Sequence, residues 1–134
     1  MPYIKPAREQ ITRLAESSAD GPVVMLNLLK FARTADEATG KTGAESYDTY
    51  GEKMREIMAE RGIKVLWRGR ADSVVIGDDA ADAWDMVLLV QYPSRKAFLE
   101  MGASKEYGKA GEHRTTALVD SRLIACTEQF RAKE

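Results

Sequence analysis

Pro22-Val-Val-Met-Leu-Asn-Leu-Leu-Lys-Phe31 is a continuous apolar run interrupted by one amide, Asn27, and closed by one cation, Lys30. A strand this uniformly apolar is one that both faces of a sheet bury. An amide in its middle must find hydrogen-bond partners or cost roughly 1–3 kcal/mol, which makes Asn27 the first candidate for a functional site. Side chains alternate along a strand, so Asn27 shares a face with Met25 and Leu29, whereas Lys30 lies on the other face with Leu26 and Leu28. The two polar groups therefore do not converge, and Lys30 is expected to extend its ammonium to water.

Upstream, Pro6 suits the first turn of a helix in which Ile11, Leu14 and Ala15 recur at helical spacing, until Asp20-Gly21-Pro22 breaks it. Downstream, the segment from Ala32 to Gly43 reads as a polar, mobile surface loop. Thr42 and Glu45 then have the spacing of a capping box. The helix they start carries Tyr47, Tyr50, Met54, Ile57 and Met58 on one stripe and stops at Arg61-Gly62. Lys64 to Gly77 reads as extended, with Val65, Trp67, Gly69 and Ala71 alternating against Leu66, Arg68, Arg70 and Asp72; Val74-Val-Ile closes it and Gly69 is the expected place for a bulge. After an acidic turn at 78–82, Trp84 to Tyr92 reads as the hairpin partner. Ser94 and Ser104 can cap two further helical segments, the second reaching about Leu118, and Ser121 to Gln129 reads as the last strand.

A leading helix followed by strand, helix, strand, strand, helix, strand is the order of a ferredoxin-like split βαβ domain: an α+β fold with helices on one face of a four-stranded antiparallel sheet. A chain of 134 residues, 44% of them hydrophobic, fits one such domain, with its core at about 22–129. The apolar character of both faces of the first and third strands means that the uncovered sheet face would expose too large a patch. A second copy is the expected cover, giving a homodimer with sheets face to face.

Twenty basic and 21 acidic residues are spread along the chain, for a formal charge of −1, so no basic stripe points to nucleic acid and no apolar span points to a membrane. A cytoplasmic location is the expectation. Cys126 has no partner for a disulfide, and in Leu123-Ile-Ala-Cys-Thr it reads as a small packed hydrophobe. One cysteine and one histidine do not make a zinc site of the usual kind, and no phosphate-binding glycine loop or serine-hydrolase elbow occurs. No metal and no resident cofactor is expected from these residues.

Several stretches taken together resemble the domain-of-unknown-function 1330 family: Val23-Val-Met-Leu-Asn-Leu-Leu-Lys-Phe31, the helix start Tyr47-Asp-Thr-Tyr50, the junction Tyr92-Pro-Ser-Arg-Lys-Ala-Phe98, and Arg114-Thr-Thr-Ala-Leu118. The resemblance spans roughly Pro22 to Gln129. It implies membership of the dimeric α/β-barrel superfamily, with a cavity between sheet and helices in each subunit, and it brings no established reaction. The leading helix and the acidic hairpin connection match nothing in the family pattern.

Individual residues supply the candidate chemistry. Asn27 either fixes backbone or dimer register or orients a ligand oxygen. Tyr47 and Tyr50, about one turn apart, are placed to border one pocket. Trp67 offers area and one donor. His113, the single histidine, is a base or ligand in principle and a solvent-facing residue otherwise. Arg114, which matches the family pattern, presents a fork for a carboxylate, either a substrate's or that of Asp85. Three functions follow. In the first, a pocket lined by Asn27, Tyr47, Tyr50, Trp67 and Arg114 binds a small organic acid or aromatic, with cofactor-free oxygenase or isomerase chemistry as an extension. In the second, Asn27, a tryptophan and His113 form a haem-binding or haem-degrading set, loosely similar to that of haem-degrading superfamily members. In the third, the dimer is a non-catalytic binding or scaffold module.

Overall fold

A computed structural model describes residues 2–133. Its elements run α1 (Arg8–Ala15), β1 (Val23–Phe31), α2 (Gly43–Arg61), β2 (Lys64–Arg70), β3 (Met86–Tyr92), α3 (Arg95–Gly102), α4 (Lys105–Ala117) and β4 (Leu118–Cys126). The four strands form one antiparallel sheet in the order β2-β3-β1-β4. With helices gathered on one face, this is the ferredoxin-like α+β fold, preceded by an extra helix. No helix among the described residues is long and apolar enough to cross a membrane.

Local chemistry sets most boundaries. Thr42 and Glu45 form the capping box: Thr42 Oγ1 accepts from Glu45 N at 3.1 Å and Glu45 Oε1 accepts from Thr42 N at 2.9 Å. Those hydrogen bonds, from the Thr42 backbone first, hold the Glu45 carboxyl below its usual range. Gly62 ends α2 in the left-handed region, at φ 67°. Ser94 and Ser104 cap α3 and α4, accepting from Ala97 N at 3.0 Å and Tyr107 N at 3.2 Å.

The central strand β1 pairs with β3 on one side and β4 on the other, and its odd-numbered residues face the helices. Val23, Met25 and Leu29 join Leu88, Val90 and Tyr92 from β3 and Leu118 from β4; Tyr47, Met54 and Ile57 of α2, Met101 of α3, and Ala110 and Ala117 of α4 close over them. Gly43 lets α2 start in contact with backbone: its N–H donates to Ala32 O at 2.9 Å, while Ala32 N donates to Ala117 O at 2.7 Å. A Cβ at Gly43 would lie 2.6 Å from Ala32 N, so the end of β1, the start of α2 and the end of α4 meet where only glycine fits.

The structure departs from the sequence expectations at five places, the first being β4, which runs from Leu118 to Cys126 rather than from Ser121 to Gln129. β2 ends at Arg70, and Val75 and Ile76 are almost fully exposed in the long connection to β3 rather than in a strand. Trp84 lies just before β3, because Asp85 leaves the ladder: its N–H donates to Leu29 O and its carboxylate accepts from Phe31 N, each at 2.8 Å. The loop after β1 is closed by a bridge between Asp36 and Lys41. Finally, the bulge in β2 falls between Val65 and Trp67, not at Gly69, so Val65 pairs with Val90 while Trp67 pairs with Leu89.

The opposite sheet face carries Val24, Leu26 and Leu28 of β1, Val87 and Leu89 of β3, Trp67 of β2 and Ile124 of β4. Trp67 is 55% exposed and Ile124 48%. No helix among the described residues covers this face. The C-terminal tail reaches only its end, where Arg131 Nη2 donates to Gln91 Oε1 at 2.9 Å.

Candidate functional site

Asn27 lies at the middle of the sheet on the helix-facing side, opposite Leu88 on one neighbour and Leu123 on the other. It is 8% exposed. Its Nδ2 donates to Met25 O on its own strand at 3.2 Å, and its Oδ1 accepts no hydrogen bond among the described residues. The amide is therefore half satisfied inside the chain, with its acceptor turned toward the layer between sheet and helices.

Aromatic rings fill that layer. Phe31 packs on Tyr47 with centroids 5.6 Å apart, Tyr47 on Tyr50 at 5.3 Å, and Tyr50 on the edge of Tyr107 at 6.3 Å. Tyr92 enters from β3 and meets Phe98 edge-on at 5.0 Å. The helical stripe anticipated from Tyr47 and Tyr50 is present, and Tyr92 and Tyr107 extend it. The alternation of β3 and the spacing of Tyr107, Ala110, Arg114 and Ala117 on α4 carried the signal for both.

Burial pushes the hydroxyls of Tyr47, Tyr50 and Tyr92 above the ordinary tyrosine range, Tyr50 well above it. Among the charges acting on them, Arg114 opposes that rise for all three and Arg68 for Tyr47. The tyrosine hydroxyls and the Arg114 guanidinium thus share one electrostatic environment. At neutral pH the three tyrosines stay protonated and can donate.

Arg114 projects from α4 and is part-buried. Its Nη1 donates to Ile4 O at 3.0 Å, and it makes no ion pair among the described residues, in contrast to Arg61, Arg68, Arg70, Arg122 and Arg131 and in common with the remaining arginines. Asp85 is not its partner: that carboxylate is committed to Phe31 N. Arg68 pairs with Asp48 of α2 at 3.5 Å, which places it on the helix side of β2.

Trp67 and His113 are not brought into this group. The bulge after Val65 turns Trp67 to the uncovered sheet face, away from Asn27, so a pocket or a haem site sharing Trp67 with Asn27 does not form within one chain. His113 is part-buried on α4; its carbonyl accepts from Ser46 Oγ at 3.0 Å, and its ring has no hydrogen bond among the described residues. Trp84 lies elsewhere too, with Arg122 Cζ 5.1 Å from its ring centroid. No group of three or more metal-ligating side chains occurs among the described residues.

Aromatic rings line the layer around Asn27 and Arg114. Surface depressions form elsewhere: one of about 390 Å³ along Arg8, Thr12 and Glu16 of α1, and one of about 330 Å³ between Ala71–Val74 and Asp79–Trp84. Neither contains Asn27, Tyr47, Tyr50, Trp67, His113 or Arg114. The first is a charged helix surface, and the second is a fold of the β2–β3 connection, where the Asp78 carboxylate, held below its usual range by hydrogen bonds from the Ala81 and then the Ala80 N–H, stabilises the turn.

Comparison with known proteins agrees with this architecture. A protein of unknown function from Rhodopseudomonas palustris is 34% identical over 98% of this chain and 100% of its own, with a TM-score of 0.89. A dimeric protein of unknown function and ferredoxin-like fold from Bacteroides fragilis is 13% identical, covering 79% of this chain and 95% of its own, at a TM-score of 0.53. A Bacteroides thetaiotaomicron protein provisionally described as an antibiotic biosynthesis monooxygenase is 16% identical, covering 85% and 95%, at 0.56. The last two similarities concern the fold alone. No functionally curated protein matches the chain. Residues 39–127 match the family described as Domain of unknown function (DUF1330), a stretch that takes in the tyrosine helix and Arg114 and begins after β1; the chain belongs to that family.

Proposed function

We propose that this protein is a homodimer whose subunits each bind a small organic acid or aromatic acid between sheet and helices. The carrying observation is Arg114: a part-buried guanidinium near enough to Tyr47, Tyr50 and Tyr92 to act on their hydroxyls, whose hydrogen bond among the described residues goes to a neutral carbonyl. A cation withdrawn from water without a counter-charge is costly, and an anionic ligand would remove that cost. The Arg114 fork suits a carboxylate, the hydroxyls of Tyr47 and Tyr50 add donors, and the rings of Phe31, Tyr47 and Tyr107 offer aromatic walls. Asn27 Oδ1 can accept from a hydroxyl on the ligand.

Tyrosine hydroxyls and a guanidinium brought to one bound ligand would also favour a developing enolate or phenolate, which is how oxygenase or isomerase chemistry would arise here. The provisional monooxygenase description of structural neighbours supports small-molecule chemistry without indicating a substrate.

The uncovered sheet face supports the homodimer. Leu26, Leu28, Val87, Leu89, Trp67 and Ile124 form one apolar surface, larger than scattered exposure on a monomer produces. A second copy, sheet against sheet, is the cover proposed.

The test is a thermal-shift screen with benzoate, salicylate, phenylacetate and short dicarboxylates, accompanied by sedimentation. Stabilisation by one of these acids that disappears in a folded Arg114→Ala protein supports the binding site. Absence of any stabiliser favours a scaffold module. A monomeric sedimentation coefficient at micromolar concentration refutes the dimer.

A further inference from the structure

The segment before α1 is fastened to the edge strand and to the candidate site by few, well-defined contacts. Tyr3 N donates to Asp120 Oδ1 at 2.8 Å, Ser121 Oγ donates to Tyr3 O at 2.6 Å, and Arg114 Nη1 donates to Ile4 O at 3.0 Å. Arg122 Cζ stands 4.8 Å from the centroid of the Tyr3 ring. Ile4 packs on the core cluster that contains Tyr47 and Tyr92. Between these contacts and α1, which packs on the core through Leu14, Lys5, Pro6 and Ala7 are exposed.

From this arrangement we infer that Tyr3 and Ile4 form a strap that closes the Arg114 site and is released when an anionic ligand enters. The strap matters for binding only if Arg114 takes an anion, as proposed above. The Ile4 carbonyl is a neutral acceptor occupying one N–H of a five-donor guanidinium. A carboxylate makes charge-assisted, bidentate bonds about twice as strong as neutral ones, so it displaces a carbonyl from the edge of the fork that both would use. Once Ile4 lets go, two hydrogen bonds and one stacked cation at Tyr3 remain as the tether. The strap is thus a specificity device: a neutral aromatic gains nothing at Arg114 to offset the contacts it must open.

Loosening the tether without touching Arg114 tests this. In the full chain, Asp120→Ala with Ser121→Ala removes both hydrogen bonds to Tyr3. The expected result is association of salicylate at least about tenfold faster than in the parent protein, one bond to the Asp120 carboxylate and one neutral bond having been taken from the closed state. In the parent, salicylate should accelerate amide hydrogen exchange across residues 3–5. Equal association rates in both proteins, with binding still lost in Arg114→Ala, overturn the strap and leave the anion site standing. No binding of salicylate to either protein, although exchange at Tyr3 is faster in the double variant, overturns the site and the gating together. Binding seen only in the loosened variant supports the strap, since closure alone then excludes the acid.

Discussion

The indole of Trp67 lies across Gly69 on the uncovered face of β2, so close that a Cβ on Gly69 would come within 2.7 Å of Cζ2 and 3.0 Å of Cζ3. Glycine is required there by its neighbour's ring rather than by its own backbone, whose φ lies outside the left-handed range. Gly69→Ala should leave the fold intact and lift the indole from the sheet. The expected readouts are a shift in tryptophan fluorescence and a dimer weakened about tenfold, the loss expected of one displaced interface aromatic. Sedimentation equilibrium compares the two proteins; unchanged self-association would remove Trp67 from the proposed interface.

Gly43 poses a harder constraint, since what a Cβ would strike is backbone. Ala32 N would be 2.6 Å away, and the carbonyls of Ala32 and Ala117 are also against it. Neither backbone can rotate aside as a side chain would. Gly43→Ala is expected to cost roughly 2–3 kcal/mol, read as a lowered denaturation midpoint in urea with an unchanged slope.

Buried tyrosines make the fold sensitive to alkali. Burial raises Tyr47, Tyr50 and Tyr92 above the ordinary value of 10.0. An unfolded chain releases these protons near that value while the folded chain keeps them. Their contribution to stability is therefore complete below 10.0 and is lost as pH rises from there through the raised folded values. Stability should fall by about 1.4 kcal/mol per pH unit for each tyrosine still held protonated. Tyrosinate absorbance should rise together with unfolding, and the triple phenylalanine variant should flatten the alkaline limb.

Asn27 separates a register role from a ligand role. Its one internal hydrogen bond goes to Met25 O on the same strand, so no contact between elements depends on the side-chain amide. Asn27→Leu is expected to change unfolding free energy by less than about 1.5 kcal/mol, as an apolar group of similar size replaces a half-satisfied polar one. Affinity for a stabilising acid should fall about tenfold, the worth of one good hydrogen bond to a ligand. A large loss of stability with unchanged affinity would assign the amide to structure.

Much of the fold was legible because its signals are local. A threonine and a glutamate three residues apart start α2, a glycine ends it, and serines start α3 and α4 through bonds to their own nearby backbone. The alternation along β1 separated Asn27 from Lys30 without reference to any other strand. Tyr47 and Tyr50 were paired by helical spacing alone. Part of the candidate site was therefore visible, and the family resemblance pointed to Arg114 as well. Trp67 was misplaced because one additional residue, Leu66, enters the ladder opposite β3 and reverses every later side chain. Nothing in the residues of β2 distinguishes that bulge from one at Gly69.

By itself, then, the sequence determined the order of helices and strands, most of the residues in each, and the buried amide in the central strand, since capping, alternation and helical periodicity act over a few residues. Only the tertiary structure decided which face Trp67 joins and that Arg114 holds the Ile4 carbonyl rather than Asp85. Those outcomes depend on strand register and on contacts between residues as far apart as Ile4 and Arg114. Their free energies are settled by how whole elements pack, not by the residues on either side.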